Sequence, residues 1–129
     1  VYPPMSKERL KDRGYNQAEL LAKEFSILTG IPVLDDVLVK NKETLRQATL
    51  NAADRRKNLQ GSFGLRNAYL IKSKNVLVID DVMTTGATAE ILAELLVKNG
   101  AKRVDVLTVS SVFYDLSASH SFVSAVKTK

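Results

Sequence analysis

The sequence contains no cysteine. No disulfide framework, thiolate metal site or cysteine nucleophile can therefore be built from these residues. Histidine occurs once, at His120, which excludes a multi-histidine metal centre. That residue lies in a serine-rich stretch without the glycine pattern of a nucleophile elbow, and it receives no catalytic assignment. No apolar run approaches the ~18 to 20 residues of a membrane helix, and the N-terminus lacks the long apolar core of a secretory signal. A soluble, cytoplasmic protein with no membrane insertion is the expectation. Internal repeats are lacking as well.

What is present is the composition of a folded domain: 129 residues, 45% hydrophobic and 26% charged, which suits one α/β domain over 1–129. Lysine and arginine number 19 against 14 acidic residues, a net charge of +5. The cations gather in two places. Lys7, Arg9, Lys11 and Arg13 crowd the start, while Lys40, Lys42, Arg46, Arg55, Arg56 and Lys57 crowd the middle. Such clusters suit phosphate, pyrophosphate or nucleic acid, and otherwise form a solvated face.

The chain starts at Val1, and Tyr2, Pro3 and Pro4 read as the tail of an extended segment, so a fragment of a longer chain is expected. Asn16 followed by Glu19 is a variant capping box, and Leu20, Leu21, Phe25 and Leu28 continue at mixed spacing of three and four. This predicts a helix whose leucines pack the core, stopped by Gly30 and Pro32. Val33 to Val39 reads as a short strand. Asn41 to Gln60 is polar and basic, with Asn51 able to cap a short helix, and so poor a core builder points to function. Short strand-like pieces return around Phe63, Leu65, Tyr69 and Leu70.

Val76 to Ile79 is an apolar run without alternation, as in a parallel strand buried on both faces, and it ends at Asp80 and Asp81. Ala89, Ile91, Leu92, Leu95 and Leu96 then follow helical spacing up to Asn99 and Gly100, and Val104 to Val109 forms another strand. Strand, helix, strand is a parallel βαβ unit, which predicts a single Rossmann-like parallel sheet flanked by helices. Val112 to Tyr114 could extend the last strand, and the stretch from Ser117 to Ser124 carries no assignment.

Ligands of open parallel sheets bind beyond the carboxyl ends of the strands, where Asp80 to Thr88 lies. Thr84, Thr85, Gly86, Ala87 and Thr88 lead into a helix N-terminus, a turn whose amides and hydroxyls suit phosphate. Asp80 and Asp81 would repel that phosphate, so their partners are sugar hydroxyls or a magnesium ion held through water. A 5-phosphorylated ribose fits both halves.

The stretch VLVIDDVMTTGAT, Val76 to Thr88, resembles the signature of type I phosphoribosyltransferases, which bind phosphoribosyl pyrophosphate (PRPP). Pro3, Pro4, Lys7, Arg9 and the run Arg13, Gly14, Tyr15, Asn16, Gln17 resemble the segment ending RGYNQ in the ComF-like competence-protein branch of that family. Gln47, Leu50, Asn51, Arg55, Asn58, Gly61 and Phe63 are similar to the segment that follows. The resemblance implies that Asp80 and Asp81 bind the ribose hydroxyls and flank the reacting carbon, with magnesium, and that Thr84 to Thr88 hold the 5-phosphate. It further implies that a loop from Pro3 to Arg13 binds pyrophosphate through Lys7, Arg9 and Arg13, and that Gln47, Arg55 and Arg56 belong to a flexible loop over the site. ComF-like chains usually begin with a cysteine zinc ribbon and a first core strand, which do not occur in this sequence.

Three functions stay open. One is a PRPP-dependent transferase serving DNA uptake in competence. Another is a non-catalytic module that senses a ligand or docks single-stranded DNA, through Arg9, Arg13, Arg55, Arg56 and Lys57, or competence-machinery proteins. The last is a nucleobase-salvage phosphoribosyltransferase.

Overall fold

The computed structural model describes residues 1–41, 52–83 and 86–111. In chain order these form α1 (Lys7–Arg13), α2 (Gln17–Thr29), β1 (Leu38–Lys40), α3 (Ala52–Leu59), β2 (Phe63–Leu65), a 3-10 turn (Ala68–Leu70), β3 (Asn75–Met83), α4 (Ala87–Lys98) and β4 (Arg103–Ser111).

The parallel unit forms as its sequence dictates. β3 and β4 pair in parallel with Val76 opposite Val104 and Val78 opposite Val106, and α4 connects them. On its other edge β3 is met by Val1, whose amine donates to the Leu77 carbonyl at 2.8 Å while its carbonyl accepts from the Ile79 amide at 2.9 Å. This exchange is the parallel ladder pattern, and because α2 and α4 both pack against β3, Val76 to Ile79 is apolar without alternation. From α4, Ala89, Leu92 and Leu96 turn inward to join Val78, Ile71 and Val37 in the core. Leu92, Leu96, Ile71 and Val37 are wholly buried, each stabilising the fold by about 1.5 to 3 kcal/mol through burial.

Three expectations need correction. The sheet is not single: among the described residues there are two two-stranded sheets, and β1 pairs with β2 antiparallel, Leu38 opposite Leu65 and Lys40 opposite Phe63. The piece expected around Phe63 and Leu65 forms β2, but the strand expected over Val33 to Val39 overlaps β1 only at Leu38 and Val39, Tyr69 and Leu70 lie in the 3-10 turn, and the non-local pairing was not written in either piece alone.

The segment expected as a loop from Pro3 to Arg13 contains a helix. Ser6 caps α1 by accepting the Arg9 amide at 3.3 Å, Glu8 lies in its first turn, Lys11 and Arg13 in its last, and Gly14 closes it at φ 81°. Acids at the start and bases at the end complement the helix dipole, and the left-handed stop suits glycine.

The helix α2 begins and ends as expected. Asn16 caps it by accepting the Ala18 amide at 3.1 Å, and Gly30 terminates it. Its orientation differs, however: Ala18 and Ala22 are buried, whereas Leu20 is 54% and Leu28 77% exposed. The helix packs against β3 through its small residues, which allow the backbones to approach closely and turn those two leucines to water.

At the other end of the central unit, β3 runs past the acid pair to Met83, because β4 supplies Thr108, Ser110 and Ser111 as register partners that far. Asn51 and the stretch beyond Ser111, His120 included, lie outside the described residues. Among the described residues no helix is long and apolar enough to cross a membrane.

Candidate functional site

The carboxyl half of β3 opens into a cavity of about 660 Å³. Asp80 and Asp81 line it, together with Thr88 from the first turn of α4. To the same lining α1 contributes Arg9 and Arg13, and the junction into α2 contributes Asn16 and Gln17. Asn16 does two jobs here, since its amide nitrogen also donates to the Pro3 carbonyl at 3.0 Å and ties the opening segment to the α2 cap. Lys40 and Phe63, register partners in the small sheet, complete the rim. Glu8 and Asp12 line the same helical wall as the arginines, so α1 presents both signs of charge to the cavity.

A smaller hollow of about 50 Å³ adjoins this space, bordered by Asp80, Gly86, Ala87 and Thr88. Gly86 is the residue before α4 and sits at φ 77°, the left-handed region that glycine enters without steric cost. The first turn of a twelve-residue helix thus borders a polar recess next to a carboxylate. A helix N-terminus with outward-pointing amides suits an anion.

The acid pair is electrostatically tense. Asp80 accepts the Asp81 amide through Oδ1 at 2.8 Å. Burial, reinforced by the hydrogen-bonded and charged Asp81 carboxylate, nevertheless pushes the Asp80 carboxyl up to about 7. Two adjacent carboxylates that are partly withdrawn from water resist double ionisation, and a hydroxyl donor or a cation relieves them. Among the described residues no group of three histidine, cysteine or acidic side chains gathers to hold a metal. Two carboxylates do fit magnesium, which keeps several waters and takes substrate phosphate oxygens in place of a full protein cage.

The expected site residues divide accordingly. Asp80, Asp81, Thr88, Arg9 and Arg13 converge on one cavity, and Gly86 and Ala87 border its annex. Lys7 is exposed on α1 and does not border the cavity. Arg56 faces α4 instead, with its guanidinium 3.4 Å from Glu90 and 3.1 Å from Glu94, so it clamps α3 to α4. Thr84, Thr85, Gln47 and the Arg55 side chain lie outside the described residues. Lys40 and Phe63 were not expected at the site, and Lys40 showed only as one member of a basic cluster.

Residues 10–116 match the phosphoribosyl transferase domain. Competence protein F of Haemophilus influenzae is 38% identical over 106 residues, which covers 80% of this chain and 45% of that protein. Competence protein ComFC of Streptococcus pneumoniae is 35% identical over 117 residues, covering 87% and 46%. The DNA utilization protein YhgH of Escherichia coli K12 is 32% identical over 106 residues, covering 82% and 46%. The chain therefore spans a little under half the length of these relatives. Since the matched region runs from within α1 to beyond β4 and contains the acid pair and the turn before α4, the chain belongs to the phosphoribosyl transferase domain family.

Proposed function

We propose that the cavity binds PRPP or ribose 5-phosphate with magnesium, and that the protein serves DNA uptake as a PRPP-dependent transferase. The observation that carries this reading is the convergence on one cavity of the acid pair of β3, the first turn of α4, and Arg9 and Arg13 of α1. The 5-phosphate sits at Gly86 to Thr88, the ribose diol donates to Asp80 and Asp81, and the diphosphate lies toward Arg9 and Arg13 through charge-assisted hydrogen bonds. Magnesium, held by Asp80 and Asp81 partly through water, would neutralise the departing diphosphate.

In transfer, the bond between the anomeric carbon and the diphosphate oxygen breaks, and its electron pair leaves with the diphosphate. A carbon of cationic character develops beside the acids and is captured by the lone pair of the acceptor's nucleophilic atom, which forms the new bond and gives its proton to the departing diphosphate or to water. Placing negative charge there in advance lowers the barrier without a strong base. The names of the relatives, with competence and DNA utilization among them, support a place in DNA handling.

A second reading, ligand sensing without transfer, is favoured by one observation. Phe63, an aromatic that lines the cavity, carries the Lys40 ammonium over its ring, which leaves that face unavailable to stack a nucleobase. Single-stranded DNA or a competence-machinery protein would then be the partner.

Amide chemical shifts test the pocket and turnover separates the readings. PRPP with magnesium should move the Gly86 and Thr88 amides, and release of diphosphate from PRPP in the presence of an acceptor marks transfer. No shift at millimolar ligand in a folded protein refutes both readings. Shifts without release favour the sensor.

A further inference from the structure

The net charge of +5 is not spread evenly over the chain. Residues 67–75 and 96–104 hold five of the 19 basic residues and none of the 14 acidic ones, so the other 14 basic residues are matched in number by acids and the whole excess belongs to these two segments. They are neighbours in space. The Ser73 amide donates to the Gly100 carbonyl and the Lys102 amide to the Lys74 carbonyl, both at 2.8 Å, and Asn75 and Arg103 then open β3 and β4 side by side. Lys72, Lys74, Lys98 and Lys102 are all exposed there, and among the described residues no carboxylate pairs with any of them. The fifth cation, Arg103, is neutralised by Asp105 through contacts of 3.0 and 2.9 Å. Tyr69, in the 3-10 turn three residues before Lys72, is 74% exposed.

This surface lies at the amino ends of β3 and β4, whereas the cavity opens at the carboxyl half of β3. The rise from Asn75 to Asp80 alone separates the two by ~16 Å, at ~3.3 Å per residue. None of the four lysines, nor Tyr69, lines the cavity or its annex. A solvated lysine face intersperses acids, which relieve the repulsion between like charges. Four ammonium groups without such relief, carried by two segments that are hydrogen-bonded to each other, attract a partner with several negative charges along its length. The bare ring decides which polyanion suits the surface. An unpaired base stacks on it, whereas a duplex keeps its bases inside and a lipid headgroup offers no flat face.

We infer that the amino end of the β3–β4 unit is a docking surface for single-stranded nucleic acid, with Lys72, Lys74, Lys98 and Lys102 on backbone phosphates and Tyr69 against an unstacked base. The surface is separate from the cavity, so the inference does not depend on what the cavity binds. It also differs from docking through the arginines of α1, because a strand held here leaves the cavity open to its own ligand.

The test is fluorescence anisotropy of the full 129-residue chain with a labelled oligothymidylate, the matching oligouridylate and a duplex, at salt concentrations from about 50 to 200 mM. Three or four lysine contacts to phosphate predict that log affinity falls against log salt with a slope of about −2 to −3. The combined variant Lys72→Gln, Lys74→Gln, Lys102→Gln should flatten that slope by about 2 and weaken binding at least about tenfold at low salt. Tyr69→Ala should weaken binding by about 5- to 150-fold and leave the slope unchanged, since stacking releases no counterion. All four replaced side chains are exposed, so both variants should melt with the unsubstituted chain. Either oligonucleotide satisfies the proposal, and the tighter of the two names the polymer. Equal affinity and slope in the lysine variant overturn it, as does displacement of the strand by pyrophosphate at matched ionic strength, which would return the strand to the cavity. A duplex bound as tightly as the single strand, with Tyr69→Ala without effect, overturns the single-strand assignment. So does lysine-dependent binding to phosphatidylserine vesicles by a chain that binds neither oligonucleotide. No binding by the folded unsubstituted chain overturns the proposal, while ribose 5-phosphate binding, measured separately, still decides the cavity reading.

Discussion

Replacing Asp80 by asparagine should stabilise the ligand-free protein, and more so the higher the pH. Asp80 in the folded chain holds its proton up to about pH 7, whereas its ordinary value is 3.8. Between these values the folded state binds a proton that the unfolded state has released, so the stability contributed by this group falls as pH rises through the window. A displacement of that size corresponds to about 4 kcal/mol. Partial exposure of the carboxyl to water reduces the expected value to about 2 kcal/mol. Asparagine keeps the oxygen that accepts the Asp81 amide and can donate to the neighbouring carboxylate, so the local geometry survives. The advantage of Asp80→Asn should thus grow from near zero at pH 4 to about 2 kcal/mol at pH 8, or about 5 to 10 °C in melting temperature. Thermal and urea denaturation of both proteins across this range, in magnesium-free buffer, measures it. A variant that is less stable by the same amount at every pH would refute the argument that burial beside Asp81 keeps Asp80 protonated.

Other consequences are less direct. Gly86→Val places a β-branched residue at φ 77° and should cost at least about 1 to 2 kcal/mol in stability, with loss of ribose 5-phosphate binding in titration calorimetry. Leu92→Ala, in the core face of α4, should destabilise by about 2 to 5 kcal/mol, whereas Leu28→Ala on the exposed side of α2 should stay within about 0.5 kcal/mol in urea denaturation. Arg56→Ala removes two partly exposed ion pairs and should cost no more than about 1 kcal/mol, an effect that shrinks in high salt; a loss above 2 kcal/mol would mean a tighter clamp than this geometry provides. If the chain docks single-stranded DNA through Arg9 and Arg13, anisotropy with a labelled oligonucleotide should show binding that weakens steeply with salt and competes with pyrophosphate.

Local pattern carried the central unit. The unbroken apolar run of Val76 to Ile79, the helical spacing from Ala89 to Leu96 and the second run at Val104 to Val109 each reported its own element, because burial on one or both faces leaves a periodic trace. The Asn16 cap and the Gly30 stop were equally visible, since capping is chemistry within a few residues. The α1 helix was obscured by its function-like charges, although Ser6, Glu8 and Gly14 are the ordinary signals of a short helix. The outward turn of Leu20 and Leu28 was hidden because the sequence does not say that a helix will choose its alanines for close approach to β3. Pairing of β1 with β2, and with it the arrival of Lys40 and Phe63 at the cavity, depends on contacts between segments that are distant in the chain. Asp80 and Asp81 were legible as candidate site residues because two adjacent acids at the end of a buried strand have few structural uses, and both line the cavity.

The central claim is that one cavity joins the acid pair of β3 to the turn before α4 around a phosphorylated ribose. Titration calorimetry with PRPP and magnesium, on the unsubstituted chain and on Asp81→Asn, addresses it most directly. The account predicts saturable binding by the unsubstituted chain and a loss of about 1.5 to 3 kcal/mol for one charged hydrogen bond in the variant, with the fold intact. PRPP affinity equal in the two proteins would contradict it, as would no heat of binding from a folded chain.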